Sequence, residues 1–501
     1  MPSDRRQKMS ATLTMSRKIG YSAASIGDAA SYGLINSFFL FFLTTIAGVD
    51  PGIAGTIAAI GAVWSAVWSP IIGYISDNFK SKYGRRRPFI FAAAFPMAIA
   101  AAFAFNTIDA SQPAKAIYYA ATVLIFWSSF IAFFIPYLAL GAEITDDYDE
   151  RTELRSIAYI FSITGMVVGT ALPTTIVNIF VSYGHTSADS WQMTAVIVGA
   201  ISFASLMVTW KATRGRELTV HNNPTPDIDS TSADHREPAR SSTGANEKAI
   251  KKNALITMFL EYWDVLKLKP LRFLLATSIF YLLGHSIHTS TRMYYFTFHM
   301  ALSPVEISFM MIFITAIGAI LMPSVLRLAK IYDKRAVLIV GFAVDIILIT
   351  SMRFIGIDNI FLLCLFAVFY AIGNTCYWQL VPSVIYDVCE LDELISGKRR
   401  EGSVVSLLSL SEAFSTAISM QILGLILKFS GFDGAAAVQT ETTLFWINNC
   451  FSIIPALFFA FSFIMINKYP IGKKEFNDIL RLLETKRKEG KADLSSIKHM
   501  M

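Results

Sequence analysis

Charged residues and cysteines are scarce in this sequence, and each shortage excludes a class of protein. Only 16% of the 501 residues are charged, whereas 54% are hydrophobic, and this balance is too apolar for a soluble globular protein. The four cysteines lie in or beside apolar segments without any paired spacing; they are Cys364, Cys376, Cys389 and Cys450. This pattern favours small packing residues over disulfides or metal ligands.

Motifs for catalysis and for targeting are also missing. The sequence shows no nucleophile–base pair, phosphate-binding loop or metal-ligand cluster, so we expect no enzymatic activity, cofactor or metal. Residues 1–18 are polar and basic and lack the pattern of a cleavable signal peptide. The net charge of +6 is what basic loops beside a membrane produce, and it requires no nucleic-acid partner.

Long apolar runs fill most of the chain and predict an all-α protein that is embedded in the lipid bilayer. We expect twelve membrane helices in two six-helix bundles, because each run is long enough to cross a bilayer. The predicted helices span residues 22–47, 52–77, 88–106, 115–142, 156–184, 192–212, 270–298, 303–330, 335–354, 359–386, 402–430 and 443–468.

The helices divide the chain into two lobes and two polar segments. The N-terminal lobe covers residues 1–214 and the C-terminal lobe covers residues 255–470. The polar residues between them, 215–254, predict a cytoplasmic linker, and residues 255–268 predict an amphipathic helix at the membrane surface. Residues 471–501 predict a cytoplasmic tail with a charged amphipathic helix, which we expect to be solvated or surface-lying.

Lys and Arg residues concentrate in alternate loops, which sets the orientation. They occur before the first helix, at 80–87, 327–335 and 398–400, and after Lys468, whereas loops 47–52, 183–191 and 299–304 contain none. Basic loops mark the cytoplasmic side, so we expect both termini inside a bacterial inner membrane. Six plus six helices around a polar central loop is the layout of two-lobed transporters, and carriers of this layout can work as monomers.

A few ionisable residues interrupt the apolar runs: Asp28, His285, His288, Arg292, Asp345 and Glu412. Charged groups inside a bilayer are costly and face a cavity or a partner. Each residue is therefore either part of a buried structural pair or a participant in binding a substrate or a proton. Arg292 would keep its charge and can hold an oxygen-rich ligand by a forked contact. Asp28, His288 and Glu412 are candidates for carrying a coupling proton.

Aromatic and hydroxyl side chains alternate on the second predicted helix. Trp64 and Trp68 are four residues apart on one face, interleaved with Ser65 and Ser69. Aromatic faces beside hydroxyls suit a ring-shaped polar solute such as a sugar, with Tyr294, Tyr295 and Trp378 opposing them from the second lobe. The same residues are equally compatible with helix packing that places serine at the contact.

Two charged loops follow the second and fourth predicted helices. The first contains Asp77, Arg85, Arg86 and Arg87, and we expect it to gate or latch the inner face. The second, residues 141–155, is acidic but lacks the glycine and regular ligand spacing of a calcium loop. We expect it to pair with basic loops, in contacts that could bias a conformational switch.

Three segments carry a resemblance to a known family. They are SPIIGYISDNFKSKYGRRRPFI at 69–90, IPYLALGAEITDDYDERTELR at 135–155 and YDVCELDELISGKRREGSVVS at 386–406. In this order they resemble the glycoside–pentoside–hexuronide:cation symporters, the melibiose-carrier-like branch of the major facilitator superfamily. The resemblance covers nearly the whole chain and implies twelve helices, alternating access, and uptake of sugars or glycosides, often driven by sodium or protons.

The resemblance also implies which charged positions have changed. The two cation-binding aspartates of the melibiose carrier's second helix fall on Ser65 and Ser69. An acidic residue of its fourth helix falls on Phe134, a sugar-contacting aspartate falls on Ala29 beside Asp28, and a lysine falls on Ala413 beside Glu412. An arginine of its fifth helix falls near Ala158, and Trp378 aligns with an aromatic residue of its sugar site.

Carboxylates and their opposing lysine are thus lost together, which avoids an unpaired buried charge. Serine hydroxyls alone make a weak sodium site because they lack carboxylate charge. The implied coupling ion is therefore a proton rather than sodium, and an uncoupled uniporter is the alternative.

The sequence predicts a secondary transporter that moves a sugar or glycoside by rocking two lobes around a midplane site. The residues expected to line that site are Asp28, Trp64, Ser65, Trp68, Ser69, Tyr137, Arg292, Tyr295, Trp378 and Glu412. A non-transporting sensor would need a signalling domain, for which the sequence shows no segment. A carrier of lipid-like or other non-sugar solutes stays an alternative; it would be favoured by a uniformly apolar lining, and a sugar carrier by a hydroxyl-rich pocket.

Overall fold

A computed structural model describes residues 13–79, 81, 83–145, 148–215, 262–397, 400–489 and 497. Twelve helices in these residues are long and apolar enough to cross a membrane. They are α1 (Met15–Ile46), α2 (Pro51–Asn78), α3 (Arg87–Ala104), α4 (Gln112–Gly141), α5 (Glu153–Ser182), α6 (Ser187–Ala212), α7 (Lys269–His299), α8 (Pro304–Ile331), α9 (Lys334–Ile355), α10 (Ile360–Ser396), α11 (Glu401–Phe429) and α12 (Glu441–Lys468). A charged helix, α13 (Lys473–Glu489), follows them.

The predicted all-α fold with twelve membrane helices is confirmed, and most helix ends fall within a few residues of the prediction. The largest difference is α10, which continues to Ser396 instead of ending at 386. The predicted linker at 215–254 lies outside the described residues, apart from Gly215, and so does half of the predicted surface helix at 255–268, namely residues 255–261.

Local sequence signals explain where the helices begin. The Asp50 carboxylate accepts hydrogen bonds from the backbone N–H groups of Gly52 and Ile53, at 3.0 and 3.2 Å, and thereby caps α2. At α8, Ser303 and Glu306 form a reciprocal capping box. Such caps satisfy backbone N–H groups that have no partner within the helix. In both halves of the chain, capping residues therefore fix where a membrane helix begins at this end of the bundle.

Each half of the chain packs in the same pattern. In the N-terminal lobe, α1 packs against α5 and α6, α2 against α4, and α3 against α4 and α6. In the C-terminal lobe, α7 packs against α11 and α12, α8 against α10, and α9 against α10 and α12. The lobes meet where α2 contacts α11, α5 contacts α8 and α1 contacts α7. The two lobes are thus structural repeats, as in transporter folds built from repeats.

The basic end of the bundle, where Arg85–Arg87 join α2 to α3, is held together by ion pairs. Arg85 and Arg86 both contact Glu143 Oε1, at 2.7 and 3.0 Å, just past Gly141 where the helix of α4 continues to Ile144. Arg86 also pairs with Asp77, and Arg87 donates to the backbone oxygen of Trp210 on α6 at 2.7 Å. The expected pairing between acidic and basic loops is confirmed for Glu143. These described contacts of the predicted gating loop lie within the N-terminal lobe.

The C-terminal lobe has a corresponding ion pair at its own basic end. Lys334, at the start of α9, contacts Asp387 on α10 at 2.7 Å. The tail helix α13 covers the same end, with Ile479 and Leu483 buried and Arg487 bonded to Glu393 on α10. The tail therefore docks its apolar face on the lobe instead of being fully solvated. Both lobes are fastened at the basic end by contacts internal to each lobe.

The opposite end, which we call the closed end, joins the two lobes. Asp50 Oδ1 lies 3.2 Å from Lys428 Nζ, and Thr174 Oγ1 lies 2.6 Å from Ser308 Oγ. Gly424 lies so close to α2 that a Cβ atom on it would sit 2.5 Å from the backbone oxygen of Pro51. Every hydrogen bond and ion pair recorded between the lobes, within the described ranges, lies nearer this end than the basic end.

Candidate substrate-binding site

Two connected chambers lie between the lobes. The C-lobe chamber, of about 560 Å³, is lined mainly by α7, α8 and α10 of the C-terminal lobe and by α5 of the N-terminal lobe. The N-lobe chamber, of about 700 Å³, is lined mainly by α1, α2 and α4 of the N-terminal lobe and by α11 of the C-terminal lobe. Seven residues line both chambers: Tyr32, Asn36, Ser162, Met166, Glu412, Thr416 and Met420. The chambers are therefore two parts of one cavity at the lobe interface, large enough for a small-molecule solute.

Polar side chains reach the cavity in stripes at helical spacing. On α1 the stripe contains Asp28, Tyr32 and Asn36, each four residues from the next. On α7 it contains His285, Thr289 and Arg292, and on α10 it contains Tyr370, Asn374 and Trp378. Residues three or four apart share a helix face, so each helix presents its polar stripe to the cavity.

Six of the predicted site residues line the cavity. Asp28, Ser65 and Ser69 line the N-lobe chamber, Arg292 and Trp378 line the C-lobe chamber, and Glu412 lines both. Trp378 is 41% exposed and lines the C-lobe chamber. The structure thus brings the two carboxyl groups, the guanidinium and one of the predicted tryptophans into a single cavity.

Trp64 and Trp68 share a helix face, as the spacing predicts, but that face packs within the N-terminal lobe. Their rings stack at 5.5 Å, and Trp64 Nε1 donates to Ser128 Oγ on α4 at 2.8 Å. Neither side chain lines either chamber. The structure therefore follows the packing interpretation of this pair instead of the sugar-binding one.

Tyr137, Tyr295 and His288 are also placed in packed interiors. Tyr137 stacks on Tyr21 at 4.7 Å, and Tyr295 stacks on Phe451 at 4.0 Å. His288 bonds the backbone oxygen of Phe451 through Nδ1 at 2.8 Å. None of these three is among the described residues that line either chamber. The faces of α4 and α7 on which they lie contact neighbouring helices instead of the cavity.

The cavity contains residues that were not among the predicted site residues, although His285 was noted as an ionisable residue inside a span. His285 lines the C-lobe chamber in place of His288 and accepts or donates a 2.7 Å hydrogen bond with Tyr370 Oη. Tyr32, Asn36 and Asn374 complete the polar stripes. The sequence contains a spacing that could have identified them. Tyr32 and Asn36 continue the four-residue spacing from Asp28, and Asn374 precedes Trp378 by four residues.

Three ionisable groups of the cavity have no protein partner among the described residues. Asp28, Arg292 and Glu412 make no hydrogen bond or ion pair with any residue in the described ranges, and Arg292 Nε is fully buried. Asp345, whose two carboxyl oxygens also have no hydrogen-bond partner in the described residues, is instead buried inside the C-terminal lobe against Gly373, away from both chambers. Because unpaired charges inside a membrane protein are costly, the three cavity groups indicate a place for ligands or protons.

Five of the six positions at which the resemblance implies a changed charge meet in one place, and Ala158 does not join them. The N-lobe chamber is lined by Ala29, Ser65, Ser69, Phe134 and Ala413. Ser65 and Ser69 donate their hydroxyls to backbone oxygens of their own helix, at 2.8 and 2.7 Å. No group of three or more His, Cys, Asp or Glu residues in the described part of the chain could hold a metal ion.

Known proteins with similar sequences are named as transporters. A symporter of Bacillus subtilis (strain 168), YnaJ, is 26% identical over 95% of this chain and 96% of its own length. The inner membrane symporter YicJ of Escherichia coli (strain K12) is 25% identical over 92% of both chains. The isoprimeverose transporter of Lactiplantibacillus pentosus is 22% identical over 92% of this chain and 89% of its own.

Solved structures with the same fold are transporters as well. A D-xylose-proton symporter superposes with a TM-score of 0.56 at 13% identity, covering 89% of this chain and 96% of that one. A proton-dependent oligopeptide transporter superposes with a TM-score of 0.62 at 12% identity, covering 93% of this chain and 99% of that one. At such identities the likeness concerns the fold alone.

The sequence profile of one family matches almost the whole chain. It is described as MFS/sugar transport protein, and it matches residues 20–233 and 234–473. This match covers both lobes, agrees with the symporter names of the relatives, and accounts for the twelve helices around a central cavity. The chain belongs to the MFS/sugar transport protein family, a melibiose-carrier-like family of the major facilitator superfamily.

Proposed function

We propose that this protein carries a sugar or glycoside across a bacterial inner membrane by alternating access, in symport with protons. The observation that supports this most is the single cavity between two repeated lobes, lined by hydroxyl, amide and aromatic side chains. Relatives are named an isoprimeverose transporter and a putative glycoside/cation symporter. Sugars need many hydrogen-bonding groups beside apolar ring faces, which is what this lining offers.

The lining also supports a sugar over a lipid-like solute. The C-lobe chamber presents Asn36, Thr289, Asn374 and Gln379 together with Trp378. A lipid tail in contact with these groups would leave their amides and hydroxyls without partners, at a cost for each unsatisfied group. A polyhydroxylated solute would satisfy them. The lining is thus the hydroxyl- and amide-rich pocket that favours a sugar carrier.

Proton coupling is supported by the two unpaired carboxyl groups of the cavity. Asp28 and Glu412 have no cationic partner among the described residues, so each can be neutralised by binding a proton. Sodium is disfavoured because the Ser65 and Ser69 hydroxyls already donate to their own helix and supply no charge. We propose Asp28 and Glu412 as the groups that carry the coupling proton.

The orientation follows from the basic end, which the preference of Lys and Arg for the inner side assigns to the cytoplasm. The described contacts between the lobes lie nearer the closed end, so the conformation described above would open toward the cytoplasm. Each chain carries a complete cavity made by its own two lobes, which supports function as a monomer.

Uptake into proteoliposomes tests the proposal. The full chain would be reconstituted, and uptake of a panel of labelled sugars and glycosides would be measured with an inward proton gradient. We expect saturable uptake of at least one of them. Trp378→Ala should raise KM about five- to tenfold, because the lost aromatic contact is worth on the order of 1 kcal/mol.

A matched tryptophan serves as the control. Trp446 on α12 is 39% exposed, close to the 41% of Trp378, but lines neither chamber. Trp446→Ala should leave KM unchanged. Equal KM values for the wild type and Trp378→Ala would show that Trp378 is not part of the site. Saturable uptake that does not depend on the proton gradient would indicate a uniporter.

A further inference from the structure

An apolar groove lies outside the cavity between the lobes. It has a volume of about 420 Å³ and runs between α7 and α11, and we call it the α7–α11 groove. On α11, Phe414 and Ile418 line the groove, whereas Glu412 and Thr416 line the cavity between the lobes, with Leu410 at the border of both spaces. Residues three or four apart share a helix face. The groove therefore lies on the side of α11 that faces away from the cavity, toward the bilayer.

The groove is apolar and open on one side. Ser415, at its floor, is 1% exposed, whereas Phe414 and Ile418, at its rim, are 49% and 47% exposed. The hydroxyls of Ser411 and Ser415 donate to backbone oxygens of α11 and α7, at 2.8 and 3.3 Å, so neither is free to bind a polar ligand. A bilayer core contains no water, and an empty groove would lose dispersion contacts. An apolar group must therefore fill it.

The length of the groove matches one leaflet of a bilayer. Ser415 and Ser419, one turn apart on α11, bond Ile279 and Leu283, one turn apart on α7, so the two helices run parallel. The lining begins at Leu407, near the basic end, and continues along α11 for about 16 Å at 1.5 Å per residue. One leaflet provides about half of the roughly 30 Å hydrocarbon core. The groove thus has the length of the acyl chains in the leaflet at the basic end.

Positive charge lies at the basic end of the groove. Arg272 lines the groove there, is exposed, and makes no hydrogen bond or ion pair with any described residue. Lys267 and Lys269 precede it and are exposed as well. Asp264 is the acidic residue of the segment 262–272, and it contacts Lys267 at 2.7 Å. The end of the groove therefore presents an unpaired guanidinium within a basic segment.

Trp263 indicates the depth of this charge in the membrane. The Trp263 side chain is 66% exposed, whereas Val265 and Leu268 beside it are buried. Exposed tryptophan is typical of the boundary between the hydrocarbon core and the head groups. Arg272, in the first turn of α7, follows this segment directly. Its guanidinium therefore lies near the depth at which phospholipids carry their phosphates.

We infer that the α7–α11 groove binds an acyl chain of an anionic phospholipid whose phosphate is bound by Arg272. A phosphodiester carries one negative charge, which one guanidinium matches in charge and in its forked geometry. A phospholipid with an amine head group has the same phosphate, but its amine already balances the charge, so an anionic head group is preferred. This lipid is a ligand on the outer face of the C-terminal lobe and not the transported solute, so the site goes beyond the proposed function.

Nanodiscs of defined composition test the inference on the full chain. They would contain equal amounts of palmitoyl-oleoyl phosphatidylglycerol and palmitoyl-oleoyl phosphatidylethanolamine, which share their acyl chains and differ in head-group charge. Native mass spectrometry would count the lipids that stay bound when the protein is released. We expect one phosphatidylglycerol to be retained about fivefold more often than phosphatidylethanolamine, because a basic residue near the membrane surface contributes about that factor.

Three variants assign the retained lipid to the groove. Arg272→Gln should remove the preference for phosphatidylglycerol, and Ala276→Phe, which fills the groove, should reduce retention of both lipids. Arg327→Gln is the matched control. Arg327 on α8 is also exposed and makes no hydrogen bond or ion pair in the described part of the chain, but it does not line the groove. This control should keep the wild-type preference.

Thermal unfolding gives a second measurement that does not depend on Ala276→Phe. Added phosphatidylglycerol should raise the Tm of the wild type and of Arg327→Gln more than that of Arg272→Gln, because a ligand of the folded state stabilises it. An equal rise of Tm in all three proteins would overturn the inference.

Three results of the mass measurement would also overturn the inference. The first is equal retention of the two lipids by the wild type. The second is the same preference in Arg272→Gln and Arg327→Gln, because the attraction would then belong to the basic end as a whole. The third is release of a lipid-free dimer, which would make the groove an interface between two copies. No solute is present in these measurements, so each of these results leaves the proposed sugar carrier standing.

Discussion

The carboxyl side chains of Asp28 and Glu412 are the residues at which coupling would be decided. Both line the N-lobe chamber and neither contacts another described residue through a hydrogen bond or ion pair. In a structural ion pair each charge would have an opposite charge within reach, and removing one would strand the other. The absence of such a partner within the described ranges favours the functional interpretation of both residues.

Substitution of these carboxyl groups separates proton coupling from transport of the solute. Asp28→Asn and Glu412→Gln keep the size of each side chain but cannot bind a proton. We expect at least one of them to abolish accumulation of solute driven by a proton gradient. Exchange of solute at equal concentrations on both sides should continue, because that exchange needs no net proton transfer. Accumulation and exchange would both be measured in proteoliposomes.

An exposed carboxylate outside the cavity provides the comparison. Glu441 lies in the first turn of α12 and lines neither chamber, so Glu441→Gln should leave accumulation intact. Gradient-driven accumulation that persists in both Asp28→Asn and Glu412→Gln would rule these residues out as the proton carriers.

Side-chain direction explains which site residues could be predicted from the sequence. Asp28, Arg292 and Glu412 were selected because a charge inside a membrane helix faces a cavity or a partner, and all three line the cavity, whereas Asp345, selected by the same rule, packs inside the C-terminal lobe. Aromatic residues were less predictable. Trp64 and Trp378 have equal chemistry, yet one packs on Ser128 and the other faces the cavity. An aromatic side chain is stable both in a packed interior and beside a cavity, so the residue type alone does not show which of the two it faces.

At the scale of helices, glycine sets how closely the lobes approach. Gly55 on α2 faces Gly424 on α11, and a Cβ on Gly55 would sit 2.7 Å from the backbone oxygen of Met420. A Cβ on Gly424 would sit 2.5 Å from the backbone oxygen of Pro51 and 2.9 Å from Gly55 Cα. The contact between α2 and α11 at the closed end is thus a backbone-to-backbone contact, of the kind that small residues permit between membrane helices.

Adding one methyl group at this contact should open the closed end. In Gly424→Ala the new Cβ must push α2 and α11 apart, and overpacking of this kind costs about 1–3 kcal/mol. We expect the equilibrium to shift by about tenfold toward conformations open at the closed end. Hydrogen–deuterium exchange in the first turns of α2 and the last turns of α11 should then increase, and uptake should slow.

The same helix offers a control glycine. Gly402 lies near the start of α11, and a Cβ there would meet no atom within 4 Å. Gly402→Ala should leave both exchange and uptake at the wild-type level. Identical behaviour of the two alanine variants would contradict the assignment of Gly424 to the lobe contact.

Helix positions were the most predictable level of structure. Runs of apolar residues identified all twelve membrane helices, because a bilayer requires that length of uncharged chain. Hydropathy failed at α10, which continues past the predicted end through Asp387 and Asp392 to Ser396. There Asp387 pairs with Lys334, and Asp392 contacts Arg400 through Arg Nε at 3.0 Å. Ion pairs therefore extend this helix beyond its apolar run, a tertiary effect that hydropathy does not register.

For the whole molecule, the two ends of the bundle are built differently. At the basic end, the described ion pairs of Arg86 and Lys334 fasten helices within each lobe. At the closed end, pairs such as Asp50 with Lys428 join one lobe to the other. Lobes that are stiff internally and joined by few polar contacts can rock as rigid bodies when those contacts break. The sequence predicted the two lobes, but which end joins them is a property of the three-dimensional packing.

Distances between the lobes test this account most directly. Spin-label pairs would be placed on exposed positions of the two lobes, at Tyr183 and Val438 for the closed end and at Lys211 and Tyr332 for the basic end, after replacing the native cysteines with alanine. Pulsed electron paramagnetic resonance would record both distances with and without a glycoside that the protein takes up. We predict that the solute shifts the population toward longer closed-end distances and shorter basic-end distances. If neither distance distribution responds to a transported glycoside, movement of two lobes around this cavity is contradicted.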